Sequence, residues 1–107
     1  MWLRNPRRIL AYTAAIDMRK SFDGLLGVIG SQLSEDPLSE TVFLFVNRRG
    51  NYFKGIYWDR TGYFLFAKRL ERGKFKFPSG EIKQELTAQM FRLILDGIEL
   101  GRRVRMR

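Results

Sequence analysis

Apolar side chains recur along this chain with two different periods, and the change from one to the other marks out its elements. After Pro6, the residues Ile9, Leu10 and Tyr12 predict a short strand over Arg8 to Thr13. From Ser21 the spacing changes. Phe22, Leu25, Leu26, Ile29 and Leu33 fall on one stripe of a 3.6-residue period, which predicts an amphipathic helix. Asp17 or Ser21 is placed to cap its start, and Glu35-Asp36-Pro37 marks its stop, because the residue before proline is pushed out of the α region. Gly24, Gly27 and Gly30 each weaken this helix by roughly 1 kcal/mol relative to Ala, so tertiary packing must hold it. Their spacing also predicts a shallow face that another element can approach closely.

Thr41 to Asn47 is a continuous β-branched and aromatic run, as expected of a central strand with both faces at least partly covered. Arg48-Arg49-Gly50-Asn51 supplies turn residues before Tyr52 to Trp58, and Arg60-Thr61-Gly62 turns the chain again into Tyr63 to Leu70. Arg72-Gly73 then leads to a short fourth strand of this meander, predicted over Lys74 to Phe77 and ended by Pro78. Alternation puts Tyr52, Lys54, Ile56 and Trp58 on one face, with Phe53, Tyr57 and Asp59 on the other. A second helix is predicted over Thr87 to Asp96, with Thr87 as N-cap, Met90, Phe91, Ile94 and Leu95 as its stripe, and Gly97 beyond its end. The sum is one α+β domain over residues 1–107, with a mainly antiparallel sheet of four to six strands and both helices on one face.

Charge changes what this fold is expected to do. Twenty Lys and Arg against eleven Asp and Glu give a net charge of +9. Fourteen of the cations are arginine, the better residue for forked contacts to phosphate. The excess is concentrated: Arg48 to Lys76 holds nine basic and two acidic residues, and Gly101 to Arg107 adds four arginines. Such a balance favours a polyanionic partner through counterion release and steering. Arg48, Arg49, Lys54, Arg60, Lys68, Arg69, Arg72, Arg102 and Arg103 are the candidate phosphate contacts, and the first six of these outside Arg60 are expected to share one surface. Lys68 and Arg69 must face opposite ways on a strand, so at least one of them is diverted from it. The tail from residue 101 reads either as an anchoring arm or as a frayed end.

Catalytic chemistry is hard to assemble from these residues. Without cysteine or histidine the chain has no thiolate metal site, no cysteine nucleophile and no imidazole base. It lacks a GxxxxGK[ST] loop, and the glycines at 24, 27 and 30 lie inside a helix pattern where phosphate cannot reach backbone N–H groups. Asp17, Asp23, Asp59 and Asp96 are the carboxylates that a nuclease-type Mg²⁺ site would draw on, but each also fits a cap, a turn or a first helical turn. No cofactor is expected. Strand aromatics interleaved with Lys54, Lys68 and Arg69 suit base stacking, although a core short of Val and Ile needs the same rings. With three arginines near the start, no apolar run after them and no stretch of about 18 apolar residues, no membrane association is expected and a cytoplasmic, nucleoid-associated location is.

The run Arg48-Arg49-Gly50, then Lys54, Trp58-Asp59, Gly62 and above all Leu65-Phe-Ala-Lys-Arg-Leu-Glu-Arg-Gly73 with Phe75 and Pro78, resembles the Orf-two-like accessory proteins (TnpB) of the insertion sequence sixty-six family. Asp17-Met-Arg-Lys-Ser-Phe-Asp-Gly-Leu25 is similar to the start of that family's first helix, and Leu86-Thr87, Gln89 and Leu95-Asp-Gly-Ile98 to its last. The resemblance implies a gene product encoded beside a separate, larger transposase that carries the metal-ion chemistry. Two positions depart from the common pattern. Tyr57-Trp58-Asp59-Arg60-Thr61-Gly62 stands where relatives often have Trp-Trp-Asp-Gly-Asp-Gly, and Phe77 where they often have Trp.

Three functions fit these residues. The first is a non-catalytic transposition accessory that binds DNA, the transposase or both. The second is a protein-only adaptor whose positive face meets acidic surface on the transposase, and the third is a carboxylate- and metal-dependent nuclease.

Overall fold

A computed structural model describes residues 6–77 and 80–96. In chain order the elements are β1 (Arg8–Ala15), α1 (Phe22–Ser31), β2 (Thr41–Val46), β3 (Tyr52–Trp58), β4 (Tyr63–Arg69), β5 (Lys83–Glu85) and α2 (Ala88–Leu95). The strands form one five-stranded sheet in the order β4-β3-β2-β1-β5. β1 and β2 run parallel, joined through α1, which is the kind of long crossover that parallel neighbours require. The remaining pairings are antiparallel: β2 with β3, β3 with β4, and β5 with β1. The α+β class and the predominance of antiparallel pairing are as the sequence predicts.

β2 is buried at every position, because it has a strand on each side and a hydrophobic layer on each face. Its side chains alternate between two cores. Val42, Leu44 and Val46 join Ile9, Ala11, Phe53 and Tyr57 under Phe91 and Ile94 of α2. Phe43 and Phe45 join Leu10, Tyr12 and Ile56 under Leu25, Val28 and Ile29 of α1. The two helices therefore lie on opposite faces, not on one as expected. The physical reason is the continuous apolar run of β2 itself, which would leave one face wet if both helices shared the other.

The expected fourth meander strand over Lys74 to Phe77 is not formed. That stretch is irregular, held by a bond from the Phe75 N–H to the Gly50 carbonyl and by burial of the Phe75 ring against Phe53. The fifth strand is β5, a polar Lys83-Gln84-Glu85 triplet that pairs with Tyr12, Ala11 and Leu10.

At the helix starts, Thr87 Oγ1 accepts from the Met90 N–H (3.0 Å), which is the predicted cap. Ser21 occupies the cap position of α1 but makes no side-chain cap bond. Gly97, expected beyond the end of α2, lies outside the described residues. The expected close approach of another element to the α1 glycines is also not met: a Cβ on Gly24 would sit 3.1 Å from the Lys20 side chain just before the helix, but one on Gly27 or Gly30 would find no described atom within 4 Å.

Candidate nucleic-acid interface

Both parallel strands finish at the same end of the sheet, and the β2–β3 turn stands there. Asn47 builds this turn. Its Oδ1 accepts from the N–H groups of Asn51 (3.0 Å) and Tyr52 (3.1 Å), while its Nδ2 donates to Asn51 Oδ1 (2.8 Å). The Gly50 N–H closes the loop on the Asn47 carbonyl at 3.0 Å, with Gly50 at φ +75°, a conformation that glycine adopts without steric cost. Arg48 and Arg49 are left exposed at its tip.

After β4 the chain bends back onto this turn. The Leu70 N–H donates to the Asn51 carbonyl (2.7 Å), and the Phe75 N–H to that of Gly50. Contact is close enough that a Cβ on Gly50 would sit 3.4 Å from the Phe75 carbonyl oxygen and 3.5 Å from Lys74 Cβ. Arg69 pairs across from Tyr52, the first residue after the turn. Tertiary structure thus brings Arg48, Arg49, Arg69, Arg72 and Lys74 to one end of the sheet. Between the turn and the returning segment lies a cleft of about 400 Å³, with Thr13, Ala15 and Val46 at the strand ends, Arg48 and Arg49 from the turn, and Lys74, Phe75 and Phe77 from the returning chain. Among the described residues no acid lines it.

The expected single surface is narrower than the sequence suggests. Lys54 Nζ donates to the Lys20 carbonyl (2.8 Å) before α1, whereas Lys68 Nζ donates to the Leu95 carbonyl at the end of α2. These two lysines lie on opposite faces, because Lys68 pairs with Phe53, the neighbour of Lys54 on β3, and adjacent strand residues alternate. Lys68 is on the α2 side but turned to α2, and Arg69, opposite Tyr52, faces the α1 side with Lys54. Arg60 is farther away still. It sits in the β3–β4 turn, at the other end of strands that span about 20 Å, and its guanidinium reaches Glu40 Oε1 at 3.3 Å. Arg102 and Arg103 fall outside the described residues. Lys74, Phe75 and Phe77 had no standing as site residues in the sequence, because only the return of the chain onto Gly50 places them beside Arg48.

Each candidate carboxylate has a local role. Asp17 accepts from the Arg19 guanidinium and from its N–H (2.9 Å), and these bonds hold its carboxyl at about 2. Asp59 Oδ1 accepts from the Thr61 and Gly62 N–H groups, at 3.3 and 3.2 Å, and from the Thr61 hydroxyl. Asp23 lies in the first turn of α1, and Asp96 stands at the end of α2. Among the described residues no three acidic, histidine or cysteine side chains gather where they could hold a metal ion. No described helix is long and apolar enough to cross a membrane.

Over residues 7–105 the sequence matches the family described as IS66 Orf2 like protein. It is 35% identical over 98 residues to the uncharacterized protein y4jC of Sinorhizobium fredii, an alignment covering 89% of this chain and 82% of that protein. The uncharacterized protein y4hO of the same organism is 39% identical over 74 residues, covering 69% of this chain and 64% of its own length. No solved structure shows a significant match.

Proposed function

Because the chain belongs to the IS66 Orf2-like family, we propose that it is a non-catalytic accessory of insertion-sequence transposition that holds DNA by its phosphates. The observation that carries this reading is the cluster of Arg48, Arg49, Arg69, Arg72 and Lys74 at one end of the sheet, fixed by backbone bonds between the turn and the returning segment. Guanidinium groups on a rigid frame suit phosphate oxygens, which they grip in forked pairs. Base readout is not provided for by the helices. α1 is preceded by Arg19 and Lys20 but carries no base-reading row, and α2 offers Arg92 as its one basic residue. The protein therefore positions or bridges DNA, and sequence choice falls to the transposase that acts with it.

Titrating salt in a binding experiment with duplex DNA tests this. Neutralising about five phosphates gives a slope of log K against log salt of roughly −4 to −5, with scrambled DNA competing almost as well as the element's ends. Arg48→Ala together with Arg49→Ala should reduce the slope by about two, whereas Arg60→Ala, at the far end of the sheet, should leave it unchanged. A salt-insensitive interaction, or binding to the transposase with none to DNA, would replace this reading with that of a protein adaptor.

A further inference from the structure

Resting on the DNA reading above, we propose that the cleft beside the β2–β3 turn receives one unpaired nucleotide of a single-stranded stretch, its phosphate on Arg48, Arg49 and Lys74 and its base against Phe77. A duplex is held on a convex cylinder of phosphates and needs a charged surface, not a recess. The cleft, at about 400 Å³, is a shallow, open recess in the size range of small-ligand sites. Its described lining is mixed in a way that suits part of a nucleotide, with three cations and no acid for an anion and an aromatic wall for a flat ring.

The two phenylalanines divide the work. Phe75 is 5% exposed and packs edge-on against Phe53 at 4.7 Å, so it belongs to the core. Phe77 is only half-buried, against the edge of that core, and lines the cleft. Polar groups that might read a base edge are already engaged within the protein. The Thr13 hydroxyl bonds the carbonyls of Glu81 and Ile82 (3.1 Å each), and the Asn47 amide is committed to the turn. Stacking with little base preference is the mode that remains. Arg72, exposed on the segment that the Leu70 and Phe75 N–H groups tie to the turn, suits the neighbouring phosphate of a strand, which a free mononucleotide would not need.

Fluorescence anisotropy with labelled oligothymidylate, oligouridylate and a blunt duplex of equal length tests the proposal on the full chain. Phe77→Leu keeps an apolar side chain against the core but removes the ring, and should weaken oligothymidylate binding about tenfold while changing duplex binding less than about twofold. Phe77→Trp should retain binding, and its added emission should be quenched by oligothymidylate more than that of the wild type, which gives a reading independent of the leucine variant's stability. Oligouridylate should behave as oligothymidylate does. Unchanged single-strand binding in Phe77→Leu, an equal loss for duplex, or no added quenching in Phe77→Trp would overturn the cleft while leaving the phosphate surface standing. Failure of the wild type to bind either form of DNA would overturn both.

Discussion

Arg60 is the residue most at odds with its backbone. It sits at φ +81° in the β3–β4 turn, which the Asp59 N–H closes on the Gly62 carbonyl at 3.0 Å. A positive φ at the first central residue of such a tight hairpin favours glycine, which explains why the turn this segment resembles carries glycine at the matching place. The guanidinium's contact with Glu40 offsets little of the strain, since the Arg60 side chain is 73% exposed. Arg60→Gly is therefore expected to stabilise the fold by about 0.5–1 kcal/mol, after the greater entropy of an unfolded glycine is allowed for. Urea denaturation measures this, and a loss of stability would mean that the ion pair outweighs the strain. Gly55 is a different case, invisible to any local rule. Its partner across the sheet is Phe66, whose ring lies so close that a Cβ on Gly55 would come within 2.2 Å of it. The glycine lets the ring pass close over β3 and reach Phe53 and Phe91.

Among the elements, those with a strong period were legible. Leu25, Ile29 and Leu33 of the α1 stripe are almost wholly buried, although Phe22 at its start remains 42% exposed. β5 was not legible, since Lys83-Gln84-Glu85 has no strand character and takes its geometry from the open edge of β1. What secures this edge is a cluster of charges. Glu35, just past α1, accepts from Lys83 Nζ of β5 and from Arg8 Nη1 of β1 (3.0 Å), and Arg8 also donates to Glu85 (3.0 Å). The bond from Lys83, and then that from Arg8, holds the mostly buried Glu35 carboxyl below its usual range despite burial, and the Arg8 guanidinium is correspondingly raised, chiefly by Glu85. A carboxylate whose folded pKa is depressed contributes stability that is complete above its unfolded value of about 4.3 and is lost as pH falls through the folded one. Glu35→Gln should accordingly lower Tm at neutral pH and flatten its decline between about pH 5 and 3, as read by calorimetry. An unaltered acid limb would show that the cluster adds nothing to the hold of β5.

For the whole molecule, the basic segment was legible as composition but not as a place. Alternation separates Lys54 from Lys68, the hairpin carries Arg60 to the wrong end, and Lys74 and Phe77 arrive only because the chain doubles back onto Gly50. The distribution of the helices was similarly hidden, since an amphipathic stripe does not say which face of a sheet it will cover. That distribution makes completion of the fold depend on its last described element. Phe91 and Ile94, each 1% exposed, close the layer formed by Ile9, Ala11, Val42, Leu44 and Phe53. A chain ending at Leu86 should therefore lose cooperative melting and bind a hydrophobic dye, while a sharp transition in that variant would contradict the dependence. During synthesis the same arrangement keeps one side of the nascent sheet adhesive until α2 has left the ribosome, long after α1 has sealed the other. A copy of the gene cut short before α2 would then yield a product that proteases clear, not a weakened but lasting protein.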